Sequence, residues 1–378
     1  MREILKLKRT RLFMLLPIGA LFILLARLSP FIAEYIFARG LYKILSLPLG
    51  LVTGIFPFSL AELIIVLSPF ILLSVIICFG ARLIKNKENR SMVIKKAAVN
   101  VLCFISVAVF LFIILCGTNY YRYTFAVQYN LNVKERTVEE LKELCVYLKR
   151  KAEESKDAVD KKDLDEKGVV VFGENRTYKD FSDVAREAKK AMSRLAEDYE
   201  TLKYSTGGAK EVMLSKYMSY GSIVGIFIPF TMEANVNTDV AAYNRPADTC
   251  HELAHMRGYM KEEEANYIAY LACINSDEPI FNYSGYMLAF VIATNALYDY
   301  DSDAYWDIME GLSGKVLADI NYEREYWREI RSHEMAEAAE TIMNQVNDTY
   351  LKANGQESGV KSYGEMVDLL LAEYFGEN

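Results

Sequence analysis

His251-Glu252-Leu253-Ala254-His255 carries the chemistry most legible in this chain. Two imidazoles four residues apart lie one turn apart on a single helix face, where both reach one metal ion. A glutamate directly after the first histidine is then placed as general base toward a zinc-bound water. The chain has three histidines in all, and two stand in this motif. Zinc needs a third protein ligand if a fourth position is to stay open. Gly258 follows three residues after His255, where glycine permits a sharp reversal. Lys261 to Leu271 then reads as a second helix, with Ala265, Ile268, Ala269 and Ala272 as the stripe that packs it on the first. Of its three consecutive carboxylates, which point in different directions, Glu262 is the expected third ligand and Glu263 the fallback. Glu264 is expected to pair with a nearby base. Asn266, one turn beyond Glu262, is placed to hydrogen-bond a ligand histidine.

HELAH followed by E-x-x-A-N resembles the gluzincin arrangement, in which the second helix supplies a glutamate ligand. More closely, the chain resembles the bacterial membrane proteins grouped as domain of unknown function 3810. The similar stretches are Pro229 to Asn237, His251 to Cys273, and the tail Tyr350 to Gln356 with Gly359 to Gly364. With the apolar segments in front, the resemblance covers nearly the whole chain. It implies a zincin-like fold and names no substrate. The gap from His255 to Glu262 is shorter than in many gluzincins, which leaves Glu263 in play. Gly258 also echoes the metzincin pattern, but Lys261 stands where that pattern needs a third histidine.

These residues must be positioned by the rest of the chain, which divides in two. Of 378 residues, 52% are hydrophobic, high for a soluble protein, and the excess lies at the front. Three transmembrane helices are expected at 12–28, 60–81 and 97–116, giving a membrane anchor over 1–117. A cleaved signal peptide fits the first segment less well, because no small-x-small site follows it cleanly. Basic residues cluster before the first span (Arg2, Lys6, Lys8, Arg9, Arg11) and between the second and third (Arg82, Lys85, Lys87, Arg90, Lys95, Lys96). The positive-inside rule puts both clusters in the cytoplasm and residues 118–378 outside the cell. Phe31 to Pro57, with only Glu34, Arg39 and Lys43 charged, is expected to lie in the interface or re-enter the bilayer.

Residues 118–378 read as one mainly α (α+β), zincin-like metallopeptidase domain with a small edge sheet. Thr137-Val138-Glu139-Glu140 is a capping box opening a helix toward Glu154. Ser155 to Lys167 reads as a solvated loop, Phe181 to Leu202 as an amphipathic helix, and Ile223 to Phe230 as a strand. Glu233 to Asn237 is either a rim on which an extended peptide adds as a strand or plain packing. Pro246 suits the first turn of the zinc helix. Gly285 to Leu297 reads as a core helix and Tyr322 to Thr349 as one long polar helix. His333 and Tyr363 are candidate oxyanion stabilisers. Cys78, Cys103 and Cys116 fall in the spans. Cys145, Cys250 and Cys273 lack C-x-x-C spacing, though Cys250 and Cys273 flank the site helices and could pair. A net charge of -7 without an exterior basic patch argues against nucleic acid.

The expectation is a multi-pass cell-membrane protein whose exterior domain uses Zn2+ to hydrolyse peptide bonds. His251, His255 and Glu262 hold the metal, and Glu252 is the catalytic base. Its partners are a peptide or protein substrate and the lipid bilayer. The alternatives are a catalytically inactive zincin-like domain that binds or scaffolds in the cell envelope, or a membrane scaffold in which the motif is accidental.

Overall fold

The structure, a computed structural model, describes residues 8–203, 205–353 and 366–376. It is mostly helical with one small sheet. Five helical stretches are long and apolar enough to cross a membrane: Arg9–Leu28, Ile32–Thr53, Leu60–Lys85, Lys87–Tyr121 and Pro279–Tyr300. The first includes α1 (Leu15–Leu28). The second is a wide-turned π segment, Ile32–Tyr42, running into α2 (Lys43–Thr53). α3 (Leu60–Lys85) and α4 (Arg90–Leu115) form a hairpin whose outer surface is almost wholly apolar.

The stretch Ile32–Thr53 lies along the rest of the protein. Its buried residues Glu34, Ala38, Tyr42, Ser46 and Gly50 recur every four residues, and Tyr35, Ile36, Ile44, Leu51 and Val52 are exposed opposite. That is the pattern of a helix with one face packed on protein and an apolar face left over. Polar ties run along its length: Lys43 Nζ donates to Lys203 O at 3.3 Å, Thr206 Oγ1 to Leu47 O at 2.7 Å, and Lys210 Nζ to Thr53 O at 2.8 Å. The first turn of α3 is tied there too. Its Leu60 and Ala61 amides donate to Glu233 at 3.0 and 2.8 Å, and Glu62 accepts from the Met213 and Leu214 amides. Cys116, following α4, packs with Met260 and Tyr42. The segment Lys8–Met14 runs beside the middle of α4, where Cys103 Sγ meets Arg9 O.

The remainder has one continuous core. α5 (Val138–Ala158) opens on the expected capping box, with Thr137 Oγ1 accepting from Glu140 N and Glu140 Oε2 from Thr137 N. α6 (Phe181–Asp198) buries Phe181, Val184, Ala188, Ala191, Met192 and Leu195, the stripe its periodicity predicts. The sheet comprises β1 (Ala209–Glu211), β2 (Gly225–Ile228) and β3 (Glu233–Val236) in the order β1-β3-β2. β3 is the central strand, parallel to β1, antiparallel to β2 and buried throughout. Glu233 to Asn237 is therefore packing and not a rim; β2 is the edge strand on that side. α7 (Arg245–His255) and α8 (Glu262–Ile274) follow, packed on each other and on α9 (Pro279–Tyr300).

Several expectations need correction. α9 is longer than Gly285–Leu297 and could span a bilayer by length, but half of its residues are buried in the core. The segment Ser155–Lys167 is not a solvated loop, because α5 continues through its start and Lys156 is buried in an ion pair with Asp319. The long polar helix is two, Gly314–Arg331 and Ala336–Ala353, broken where Ser332 Oγ bonds Glu329 O and His333 Nδ1 accepts from Met335 N. Such side-chain bonds compete with helix continuation.

The last described helix, Met366–Tyr374, packs on α8 and α9. Its Glu373 accepts a hydrogen bond from Tyr267 of α8, and burial, partly countered by that bond, raises the carboxyl from 4.5 to about 7. A raised acid favours the folded state fully below about pH 4.5, and that contribution is lost as pH rises through about 7. Glu373→Gln, which keeps an acceptor for Tyr267, should leave the melting temperature at pH 4.5 unchanged and raise it at pH 8. Thermal unfolding at the two pH values checks this, and an equal shift at both would contradict it.

Candidate metal centre

Pro246 stands in the first turn of α7, where its missing N–H costs nothing. Farther along, α7 presents His251 and His255 on one face, their rings edge-to-face with centroids 4.6 Å apart. The chain must then reverse within six residues for α8 to begin at Glu262. Gly258 makes the turn at φ +92°, and a Cβ there would meet Asn119 Nδ2 and Tyr42 Cε1, each at 3.2 Å. Only glycine satisfies both the left-handed backbone and the close approach.

This reversal brings Glu262, the first residue of α8, onto the histidine pair. Glu262 Oε2 lies 3.2 Å from His251 Nε2 and 3.7 Å from His255 Nε2. The three side chains offer one ligand atom each, all within 4.8 Å of one another, and each stays slightly open to solvent. The opposite ring nitrogens are engaged. His251 Nδ1 bonds Asn266 Oδ1 at 2.8 Å, and His255 Nδ1 bonds Tyr259 O at 2.7 Å. With oxygen partners at both positions, each ring in its neutral form would carry its proton on Nδ1 and turn Nε2 toward the shared centre.

Electrostatics favours a positive charge at that centre. Burial opposes ionisation of Glu262, but the two histidines outweigh it and hold the carboxyl well below its usual range. Burial likewise opposes charge on His255, yet Glu262 outweighs it and lifts the imidazole to about 9. Two imidazoles and one carboxylate are a donor set suited to zinc with a fourth position open. The residues fit the ion.

Glu252 lies beside this cluster, 4% exposed, and its Oε2 has no hydrogen-bond partner among the described residues. Burial is the main cause that raises its carboxyl to about 7, with both histidines opposing and Glu262 assisting. Gly225 of β2 abuts its carboxylate so closely that a Cβ would collide with it. Phe227, two residues along, sets its ring 6.4 Å from that of His255. The edge strand thus runs directly over the acid and the second histidine. One turn before Glu252, Asp248 has an enclosed Oδ2 without a partner among the described residues, and burial with nearby Glu323 and Glu252 raises its carboxyl well above normal. A neutral acid there avoids a second negative charge behind Glu252.

Other expected residues lie elsewhere. Glu263 is not part of the cluster. Glu264 is buried and accepts from the Phe125 amide at 2.5 Å instead of pairing with a base. His333 is exposed, stacks on Tyr220 with ring centroids 4.4 Å apart, and is not part of the cluster. Tyr363 lies outside the described residues. Cys250 and Cys273 approach to 3.8 Å as free thiols.

The bracing of the metal-side loop from the front of the chain was not foreseen. Tyr42 OH donates to Met256 O at 2.9 Å. Arg122 Nη1 donates to Gly258 O at 3.2 Å and lies over the Tyr259 ring at 4.2 Å. Glu34 holds that guanidinium through two bonds of 2.8 and 2.9 Å. The available signal was a carboxylate within an apolar stretch, which demands a partner.

Residues 37–371 match the family described as protein of unknown function (DUF3810). The chain belongs to that family. No curated protein and no solved structure matches it.

The geometry distinguishes the adjacent carboxylates. Glu262→Ala should abolish stoichiometric zinc binding by the full chain, and Glu263→Ala should leave it intact. Asn266→Ala should weaken affinity about 10–100-fold through loss of the His251 tether. Metal content against a competing chelator reads all three; zinc lost with Glu263→Ala and kept with Glu262→Ala would refute the assignment.

Proposed function

We propose that this member of the DUF3810 family is a membrane-anchored zinc metallopeptidase acting at the outer face of the cell membrane. The reading rests chiefly on one observation: His251, His255 and Glu262 converge with both Nδ1 atoms tied back, and a buried, unpartnered glutamate stands beside them. In this reading those three residues hold zinc. When bound, the ion supplies a Lewis acid that acidifies water and polarises a carbonyl. Glu252, whose ordinary acidity is already suppressed by burial, takes the proton from the attacking water and delivers it to the leaving amine. Asn266 and the Tyr259 carbonyl keep the imidazoles oriented throughout. β2 is the edge along which an extended peptide would add, laying its scissile bond beside Gly225 and over Glu252.

The membrane assignment draws on charge and on contacts. α1, α3 and α4 serve as the spans, and Ile32–Thr53 lies in the interface with its apolar face toward lipid. Basic residues 82–96 sit at one end of the bundle, and the ties to Glu233, Met213 and Met260 lie at the other. The positive-inside rule then puts the metal centre outside the cytoplasm.

Glu252→Gln preserves shape and removes the base. The variant should bind zinc as the native chain does and lose at least about a hundredfold in hydrolysis rate. Turnover retained by a zinc-loaded variant would refute the role of Glu252.

A further inference from the structure

The metal centre is bonded to the ends of the apolar helices, which restricts what it can cut. Glu233 of β3 caps the first turn of α3 through the Leu60 and Ala61 amides and also accepts from Lys210 Nζ at 2.5 Å. Lys210 Nζ in turn donates to Thr53 O and Phe58 O, closing the turn that precedes α3. Ile228 of β2 pairs with Glu233, and Gly225 pairs with Val236. The edge strand therefore starts at the Glu252 carboxylate and ends level with the entry of a span. Three strand steps separate the two, about 10 Å. Exposed Phe56 and Phe58 stand just before that span and exposed Phe230 two residues past β2, so that end presents apolar rings outward. On the other flank Met260, two residues before the ligand Glu262, packs against Leu115 and Cys116 at the end of α4. Both sides of the site thus rest on the membrane-facing end of the bundle.

We propose, building on the peptidase reading above, that the substrates are polypeptides held in the same membrane by an N-terminal anchor and cut within about six residues of it. Among the described residues the outer edge of β2 carries no strand partner, and antiparallel addition is the more stable pairing. A chain added that way runs opposite to β2, from the Ile228 end to the Gly225 end. Its N-terminal part lies at the membrane and its scissile bond lies over Glu252. A chain leaving the bilayer extended needs only a few residues to reach that point, whereas a folded soluble protein cannot bring a bond so close to the lipid surface. Hydrolysis consumes one water: the amide C–N bond breaks, the carboxylate end stays with the anchored stub, and the released amine starts the freed C-terminal product.

The test uses the full zinc-loaded chain reconstituted in liposomes. One unstructured tail of about 30 residues is presented in three forms: behind an N-terminal membrane helix, ahead of a C-terminal one, and free in solution. The N-anchored form should be cut at least about tenfold faster than the free tail. Its cuts should map within about six residues of the helix, and Glu252→Gln should abolish them. Equal rates on the free tail, preference for the C-anchored form, or cuts scattered far from the anchor would overturn this inference and leave the peptidase reading standing. No cleavage of any form by a zinc-loaded protein would overturn both.

Discussion

The six-residue reversal between His255 and Glu262 is the constraint on which the site depends. A carboxylate seven residues after the second histidine can meet the imidazoles only if the chain turns back at once. Gly258 supplies the turn at φ +92°, and its backbone carbonyl is gripped by Arg122. Tyr42 holds the preceding carbonyl of Met256, and Tyr259 returns its own carbonyl to His255 Nδ1. The loop thus orients His255 while being fixed from outside. A side chain at Gly258 would strain the backbone and push against Tyr42 and Asn119 together.

The fixing groups come from the apolar front of the chain. Glu34 and Arg122 form a buried pair that would be costly to leave half-made, since either charge alone would be stranded in a low-dielectric setting. Arg122 directs its remaining donor to the Gly258 carbonyl, so the pair that joins Ile32–Thr53 to the core also sets the metal-side loop. Division of the chain at residue 117 is accordingly a division of composition and not of structure. A fragment starting at Thr118 would lose Tyr42 and Glu34, and with them the outer brace of the loop.

Much of this was legible in the sequence where local rules decide it. The spacing of His251 and His255 sets them on one face, Pro246 marks the helix start, Thr137 and Glu140 announce a cap, and the stripe of α6 buries as its period requires. Choosing Glu262 over its two neighbours also followed from helix geometry, because Asn266 lies one turn along on the same face. What escaped was nonlocal. Glu233 to Asn237 reads from sequence as either rim or packing, because a strand's sequence does not say which of its edges are paired; its neighbours are β1 and β2 on its two sides. Lys156 read as solvated because its charge predicts water, while its partner Asp319 lies far along the chain. His333 drew notice as the third histidine, and rarity alone carries no geometry. The role of Glu34 was signalled only by its oddity in an apolar run.

The central claim is that the two imidazoles and Glu262 bind one zinc ion and leave a position open. X-ray absorption at the zinc edge on the purified full chain tests it most directly. The account predicts one zinc per chain, with two imidazole nitrogens and oxygen making up the rest of the shell at about 2.0–2.2 Å. A shell containing sulfur, or a well-folded chain that takes up no zinc, would contradict it.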